Sequence, residues 1–242
     1  MVTDPAHAAS KLTELLGLSV TPMAIRFTPA PPTDVPRFEG DMPQPTADGR
    51  TGKVPAGCVF WMHGTRETFT TLPEDHGNCS VGSYTHGLLD LDAAATKQDV
   101  QTLLETGWVD QAAVAQVPAV RERPGAITYG PLRDAPELPD VVFLRINGKQ
   151  AMMLQDAWPS LRREGKPQCH IVAIAKEHGE PAISVGCMLS RVRTGMASSE
   201  MTAALPGHIL PAFITALGDA RETNRQVAAY AAEDGRRFAG TS

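Results

Sequence analysis

Long apolar runs, a surplus of basic charge, aromatic clusters and Cys-x-x-Cys pairs are all missing from this 242-residue chain. Each absence removes a class of function. No apolar stretch reaches the roughly 18 residues that a membrane-spanning helix requires, so no membrane segment is expected. Net charge is −5 and the isoelectric point is about 5.8. Lys and Arg are scattered apart from Arg162-Arg163 and Arg236-Arg237, so a nucleic-acid footprint is not expected either. Aromatics make up 5% of the chain, too few for a base-stacking platform. The start, Met1-Val2-Thr3-Asp4-Pro5, is acidic with no apolar stretch behind it, which argues against a secretory leader and for a cytoplasmic location. Walker A, Gly-x-Gly-x-x-Gly after a strand, Gly-x-Ser-x-Gly and His-Glu-x-x-His patterns are also lacking. Standard nucleotide-binding, hydrolase and zinc-protease readings lose their support.

Hydrophobic residues, at 42%, are enough to bury the core of one large domain or two small ones. Ala8, Leu12, Leu15 and Leu16 fall at helical spacing and Gly17 follows as a C-cap. Pro22–Phe27 reads as a strand, and Thr28–Lys53, rich in Pro, Asp, Gly and Thr, as a surface excursion. Gly57–Met62 is apolar but too short to assign. Thr65–Leu72 reads as a strand and Pro73–Asn78 as a turn that delivers Cys79. A helix is expected over Thr96–Glu105, with Thr96 as cap and Asp99 at the capping-box position. Pro118–Pro136 is turn-rich and reads as a connector. Pro139–Ile146 is the clearest strand, near-continuously apolar as in a sheet buried on both faces. Ala151–Trp158 reads as a short helix, Cys169–Ala175 and Ala182–Val185 as strands. Glu200–Leu205 and Ile209–Leu217 are helical in composition, split by Pro206-Gly207. Arg221–Phe238 reads as a polar, alanine-rich helix at the surface or at a subunit contact.

The two halves run in the same order. Each offers a strand, a cysteine (Cys58, Cys169), a second strand, a second cysteine (Cys79, Cys187), a glycine eight residues later (Gly87, Gly195) and a helix. The expected fold is α/β, two similar halves with a mixed sheet packed as one globular unit. The first half is 1–118, the connecting segment 119–138 and the second half 139–242 with its C-terminal helix.

Four cysteines delivered one per loop suit a shared soft-metal centre, because thiolates match both iron–sulfur clusters and Zn²⁺. The leading expectation is a metal-binding protein in which Cys58, Cys79, Cys169 and Cys187 hold an iron–sulfur cluster of the 4Fe–4S kind, with a redox role. Zinc is the alternative, and His76, His86, His170 and His178 offer mixed ligation. A second class is a thiol-dependent enzyme with Cys187 as nucleophile. A third is a small-molecule binding or sensing module with structural cysteines. Arg191 and Arg193, close behind Cys187, are candidates for binding an anionic substrate or lowering a thiol pKa. The partners expected are a small molecule or a redox protein, and a homo-oligomer is allowed.

Pro139-Asp140-Val141-Val142, Ala151-Met152 and Pro181-Ala182-Ile183-Ser184-Val185-Gly186-Cys187, with Arg191 and Thr194-Gly195, together resemble a known family. It is the bacterial and archaeal family called domain of unknown function 169. Cys58, Asn78-Cys79 and Gly87-Leu88 fit it too. The resemblance covers Leu12 to Leu217, with Gly186-Cys187 its most specific part. It implies membership and no reaction. The Thr28–Lys53 excursion departs from it.

Overall fold

Asp4 opens the first helix, α1 (Pro5–Leu16), by accepting the His7 N–H at 3.2 Å, and Gly17 closes it at φ 64°. The computed structural model describes residues 4–39 and 57–239. After α1 come β1 (Met23–Thr28), α2 (Gly57–His63), β2 (Phe69–Thr71), a 3₁₀ turn (Pro73–His76) and α3 (Ser80–Thr85). Three short helices follow, α4 (Leu91–Ala95), α5 (Gln98–Glu105) and α6 (Gln111–Ala115), and then β3 (Ala126–Pro131). The second half has β4 (Val141–Asn147), α7 (Gly148–Ala157), β5 (Arg162–Glu164), α8 (His170–Ala173) and β6 (Ala182–Ser184). It ends with α9 (Met188–Thr194), β7 (Glu200–Pro206) and the 30-residue α10 (Leu210–Ala239). No helix among the described residues is long and apolar enough to cross a membrane.

The described strands form one mixed sheet in the order β2-β3-β1-β4-β7-β6-β5, with only the β5–β6 pair parallel. From the central β1–β4 seam outward the order is the same on both sides: β1, β3, β2 in one direction and β4, β7, β6 in the other. Side chains alternate between the faces, as the pleat requires. Val142, Leu144 and Ile146 of β4 enter the core under α1, α7 and α10. Val141 and Phe143 enter the opposite core, beneath α2 and α8. Both faces of β4 are therefore buried, which is why its sequence is almost unbroken apolar.

Four local expectations are corrected. Pro118–Pro136 is not merely a connector, because it contains β3, which lies between β1 and β2. Its glycines permit close backbone passage. A Cβ on Gly125 would lie 2.0 Å from the Pro29 carbonyl oxygen, and one on Gly130 would lie 2.4 Å from Thr68 Oγ1. Glu200–Leu205 is a strand. Its helical composition is worth a few tenths of a kcal/mol per residue, less than burial of Leu205 alone, about 1.5–3 kcal/mol. The partner β4 runs in register from Val141↔Pro206 to Asn147↔Glu200. Cys169–Ala175 is helical rather than extended, running from α8 into a π turn (Ile174–His178). Ile171, Val172 and Ile174 are fully buried there, and a short run buried all round carries no period to read. Lys97, not Thr96, caps α5, and Asp99 instead accepts the Ser80 N–H at 2.8 Å. Of the Thr28–Lys53 excursion, residues 40–53 lie outside the described residues.

Candidate functional site

Each cysteine stands where a helix begins. Cys58 is in the first turn of α2, and Cys79, Cys169 and Cys187 are the N-cap residues of α3, α8 and α9. The glycines eight residues after Cys79 and Cys187 have one job. Gly87 (φ 74°) and Gly195 (φ 63°) turn the chain off the ends of α3 and α9 in the left-handed conformation. These four helix starts converge, and all four cysteines line one cavity of about 30 Å³. That is room for about two water-sized molecules.

The cavity is not a metal centre. Among the described residues no three or more of His, Cys, Asp and Glu are grouped so that they could hold a metal ion. The iron–sulfur reading and its zinc alternative are overturned by that finding. The sulfurs have separate neighbours instead. Cys187 Sγ accepts the Ser190 N–H of its own helix at 3.4 Å, and Cys58 and Cys169 have hydroxyl neighbours in Ser190 and Thr85. Of the four histidines expected as mixed ligands, His76, His86, His170 and His178, only His86 lines the cavity; His76 bonds Thr71, His86 the Gly82 carbonyl, and His170 Nε2 lies 3.4 Å from Glu164.

Burial sets the charge state of the thiols. It pushes Cys58 up to about 12 and Cys169 well above the ordinary thiol range. Cys187 is raised for the same reason, against the pull of the N–H groups of Ser190 and Gln168. All three are protonated at neutral pH. Cys79 differs by its neighbour, since Arg193 lies beside it within hydrogen-bonding reach. Burial works against the Arg193 charge, yet Cys79, Cys58 and Asp99 nearby hold the guanidinium above its ordinary value.

Four lining side chains carry a buried polar atom with no hydrogen-bond partner among the described residues: Trp61 Nε1, His86 Nε2, Gln168 Oε1 and Arg193 Nη1. His86 Nδ1 lies 2.9 Å from the Gly82 carbonyl, which can only accept, so Nδ1 carries the proton. Burial depresses His86 to about 4. Its Nε2 is therefore a bare lone pair at neutral pH. Each of the four atoms is itself shielded, so they sit behind a cavity wall whose accessible surface is mainly apolar. Unpaired buried polar atoms cost about 1–3 kcal/mol each, and native chains retain few without a use.

The two arginines behind Cys187 have separate positions. Arg193 lines the cavity. Arg191 points away from it and donates to three carbonyls, those of Ala197 (2.6 Å), Val185 (2.8 Å) and Glu200 (3.0 Å). Trp61, Gln168 and Ser190 are site residues that the sequence reading did not single out. Trp61 is three residues after Cys58, so assigning Gly57–Met62 as a helix would have put the two on one face. Ser190 is three residues after Cys187, the spacing of an N-cap contact. Gln168 has no signal beyond adjacency to Cys169.

Geometry and composition together define a mixed α/β protein with a thiol-lined cavity at the convergence of four helix starts. Residues 11–216 match the model of a family described as domain of unknown function 169, uncharacterised ArCR, and the chain belongs to that family. No curated protein and no solved structure matches it.

Proposed function

We propose that this chain is a thiol-dependent protein that admits a small molecule to the four-thiol cavity and presents Cys79 to it. The observation that carries this reading is that Arg193 lies within hydrogen-bonding reach of Cys79 in a cavity that all four thiols line. Arg193 is the group that holds negative charge on the incoming molecule. The reacting thiol is Cys79 in preference to Cys187, whose sulfur is already committed to capping α9. A cytoplasmic location belongs to the same reading, because four free thiols suit a reducing compartment.

The test is competitive labelling of the reduced protein with methyl methanethiosulfonate, a reagent small enough for a narrow site, followed by peptide mapping. Cys79 is expected to gain the S-methyl group first. Replacing Arg193 by Gln is expected to slow that step about tenfold, the worth of one charge-assisted contact. Labelling of Cys79 no faster than Cys58, Cys169 or Cys187 would overturn the reading.

A further inference from the structure

The last helix carries a pattern that the thiol site does not use. In α10, Leu210, Phe213, Leu217 and Ala220 recur at alternating steps of three and four residues, and all four are buried. α1 and α7 pack on this part of the helix. The same stepping continues through Asn224, Val227, Ala231 and Asp234. By then the body of the protein has ended, since residues 221–239 are exposed except for Asn224 and Asp234, which are half-buried. Val227 is 60% exposed, and Tyr230 beside the stripe is 70% exposed. An apolar stripe kept in strict three-four alternation is the seam of a coiled coil. Helices in water draw most of their stability from packing such a stripe, so this overhang calls for a partner.

We propose that the partner is a second copy of this chain, whose own α10 pairs with this one in an antiparallel seam to make a homodimer. The direction follows from the body. A parallel helix on the same stripe would run into α1 and α7 of the first copy, where Leu210 to Ala220 are already covered. An antiparallel helix leaves past the tip instead and continues the surface that α7 offers up to its end at Ala157.

The register follows from the two polar residues of the stripe. Setting Asn224 opposite Asp234 of the second copy also sets Val227 opposite Ala231, a larger side chain against a smaller one. A shift of one heptad in either direction puts Asn224 against Val227 or Asp234 against Ala231, and an amide or a carboxylate then faces an apolar side chain. Asn224 Nδ2 lies 2.9 Å from Asp156 Oδ2 and 2.9 Å from the Ala220 carbonyl. That carbonyl already belongs to the hydrogen-bond ladder of the helix, so its side-chain N–H is the one that turns to Asp234.

Charge supports the same arrangement. In this register the tip of each α10 reaches the groove where the other copy's α10 passes the end of α7. That groove, of about 800 Å³, is lined by Asp156 and Asp219 and, among the described residues, by no basic side chain. The arriving tip carries Arg236 and Arg237. Opposite charges meet at both ends of the seam, with Ala157, Pro159, Ala216 and Ala220 leaving room between them.

Sedimentation velocity of the full, reduced chain at micromolar concentration tests the pairing. The expected mass is twice 25.9 kDa. Val227→Lys places a charge in both halves of the seam and should weaken the dimer about a hundredfold or more. Orientation is read by mixing two variants under mild oxidation. Val227→Cys and Ala231→Cys should form a covalent dimer together and none separately, and Arg225→Cys with Ala229→Cys, on the outer side of the helix, should form none. A wild-type chain that sediments as a monomer overturns the inference, as does a dimer that survives Val227→Lys. Cross-linking of Val227→Cys with itself overturns the antiparallel seam.

Discussion

Gln168 donates through Nε2 to Ser190 Oγ at 2.7 Å, tying the residue ahead of Cys169 to the helix that Cys187 caps. Both partners are buried, at 2% exposure each. Ser190→Ala removes the acceptor and leaves the Gln168 amide unpaired in the interior. The expected cost is about 1–3 kcal/mol, the desolvation of one orphaned donor. Urea unfolding of the reduced protein measures it, and a change below a few tenths would show the contact to be dispensable.

Acid should destabilise the chain through two buried imidazoles. Burial depresses His86 to about 4 from an ordinary 6.5, and His76 well below that value, with His86 adding to the effect. The folded state therefore favours the neutral ring. Its contribution is complete above pH 6.5 and is lost as pH falls toward 4. For His86 alone the loss amounts to about 3 kcal/mol. Unfolding free energies measured between pH 7 and 4 should fall on this limb, and His86→Asn should make it shallower. An unchanged slope in that variant would remove His86 as its source.

Alkali should act through a thiol. Cys58, pushed up to about 12 by burial, stays protonated in the folded chain while an unfolded chain ionises near 9. Stability from this group is complete below pH 9 and is lost as pH rises toward 12. Cys58→Ala should flatten that alkaline limb when unfolding is followed by circular dichroism.

Arg191 serves the backbone, and its loss should be read in the backbone. Its three carbonyl contacts hold the segment between Val185 and Glu200. Arg191→Ala is expected to cost about 2–3 kcal/mol and to raise amide hydrogen exchange across residues 186–199. Exchange confined to its wild-type rate there would contradict the bracing role.

Two glycines provide opposite expectations. Gly125→Ala places a Cβ 2.0 Å from the Pro29 carbonyl and should cost about 3 kcal/mol, the upper range for an overpacked site. Gly148→Ala, at the first position of α7 with nothing within 4 Å, should stabilise by about 0.4–1 kcal/mol. Thermal unfolding of the two variants should move in opposite directions.

These two glycines also show where the sequence could be read and where it could not. Gly17 was legible, because a glycine after an amphipathic repeat marks a helix end locally. Gly125 and Gly130 look the same on paper, yet they mark places where strands pass close to other chain segments, which only the fold reveals. The strand Val141–Asn147 declared itself through its unbroken apolar run. Glu200–Pro206 did not, because its composition is helical and its longer partner, β4, is more than fifty residues away. At the site, the repeated strand and cysteine order put the four thiols in corresponding loops, and they line one cavity, but among the described residues they form no metal-holding group. It could not show which neighbour each sulfur meets. That depends on helix-start geometry and on residues such as Ser190 and Thr85, which carry no pattern of their own.

The sheet order given above also determines how the molecule meets its neighbours. Its outermost strands, β2 and β5, are three residues each. The free side of β2 is already engaged, since Phe38 N–H donates to Thr70 O at 2.9 Å and Thr70 N–H to Pro36 O at 2.8 Å. β5 consists entirely of charged residues, Arg162-Arg163-Glu164. Short, charged or occupied borders deny an incoming chain a template for intermolecular strand pairing. A wide, strongly apolar sheet is thereby kept from polymerising through its rims.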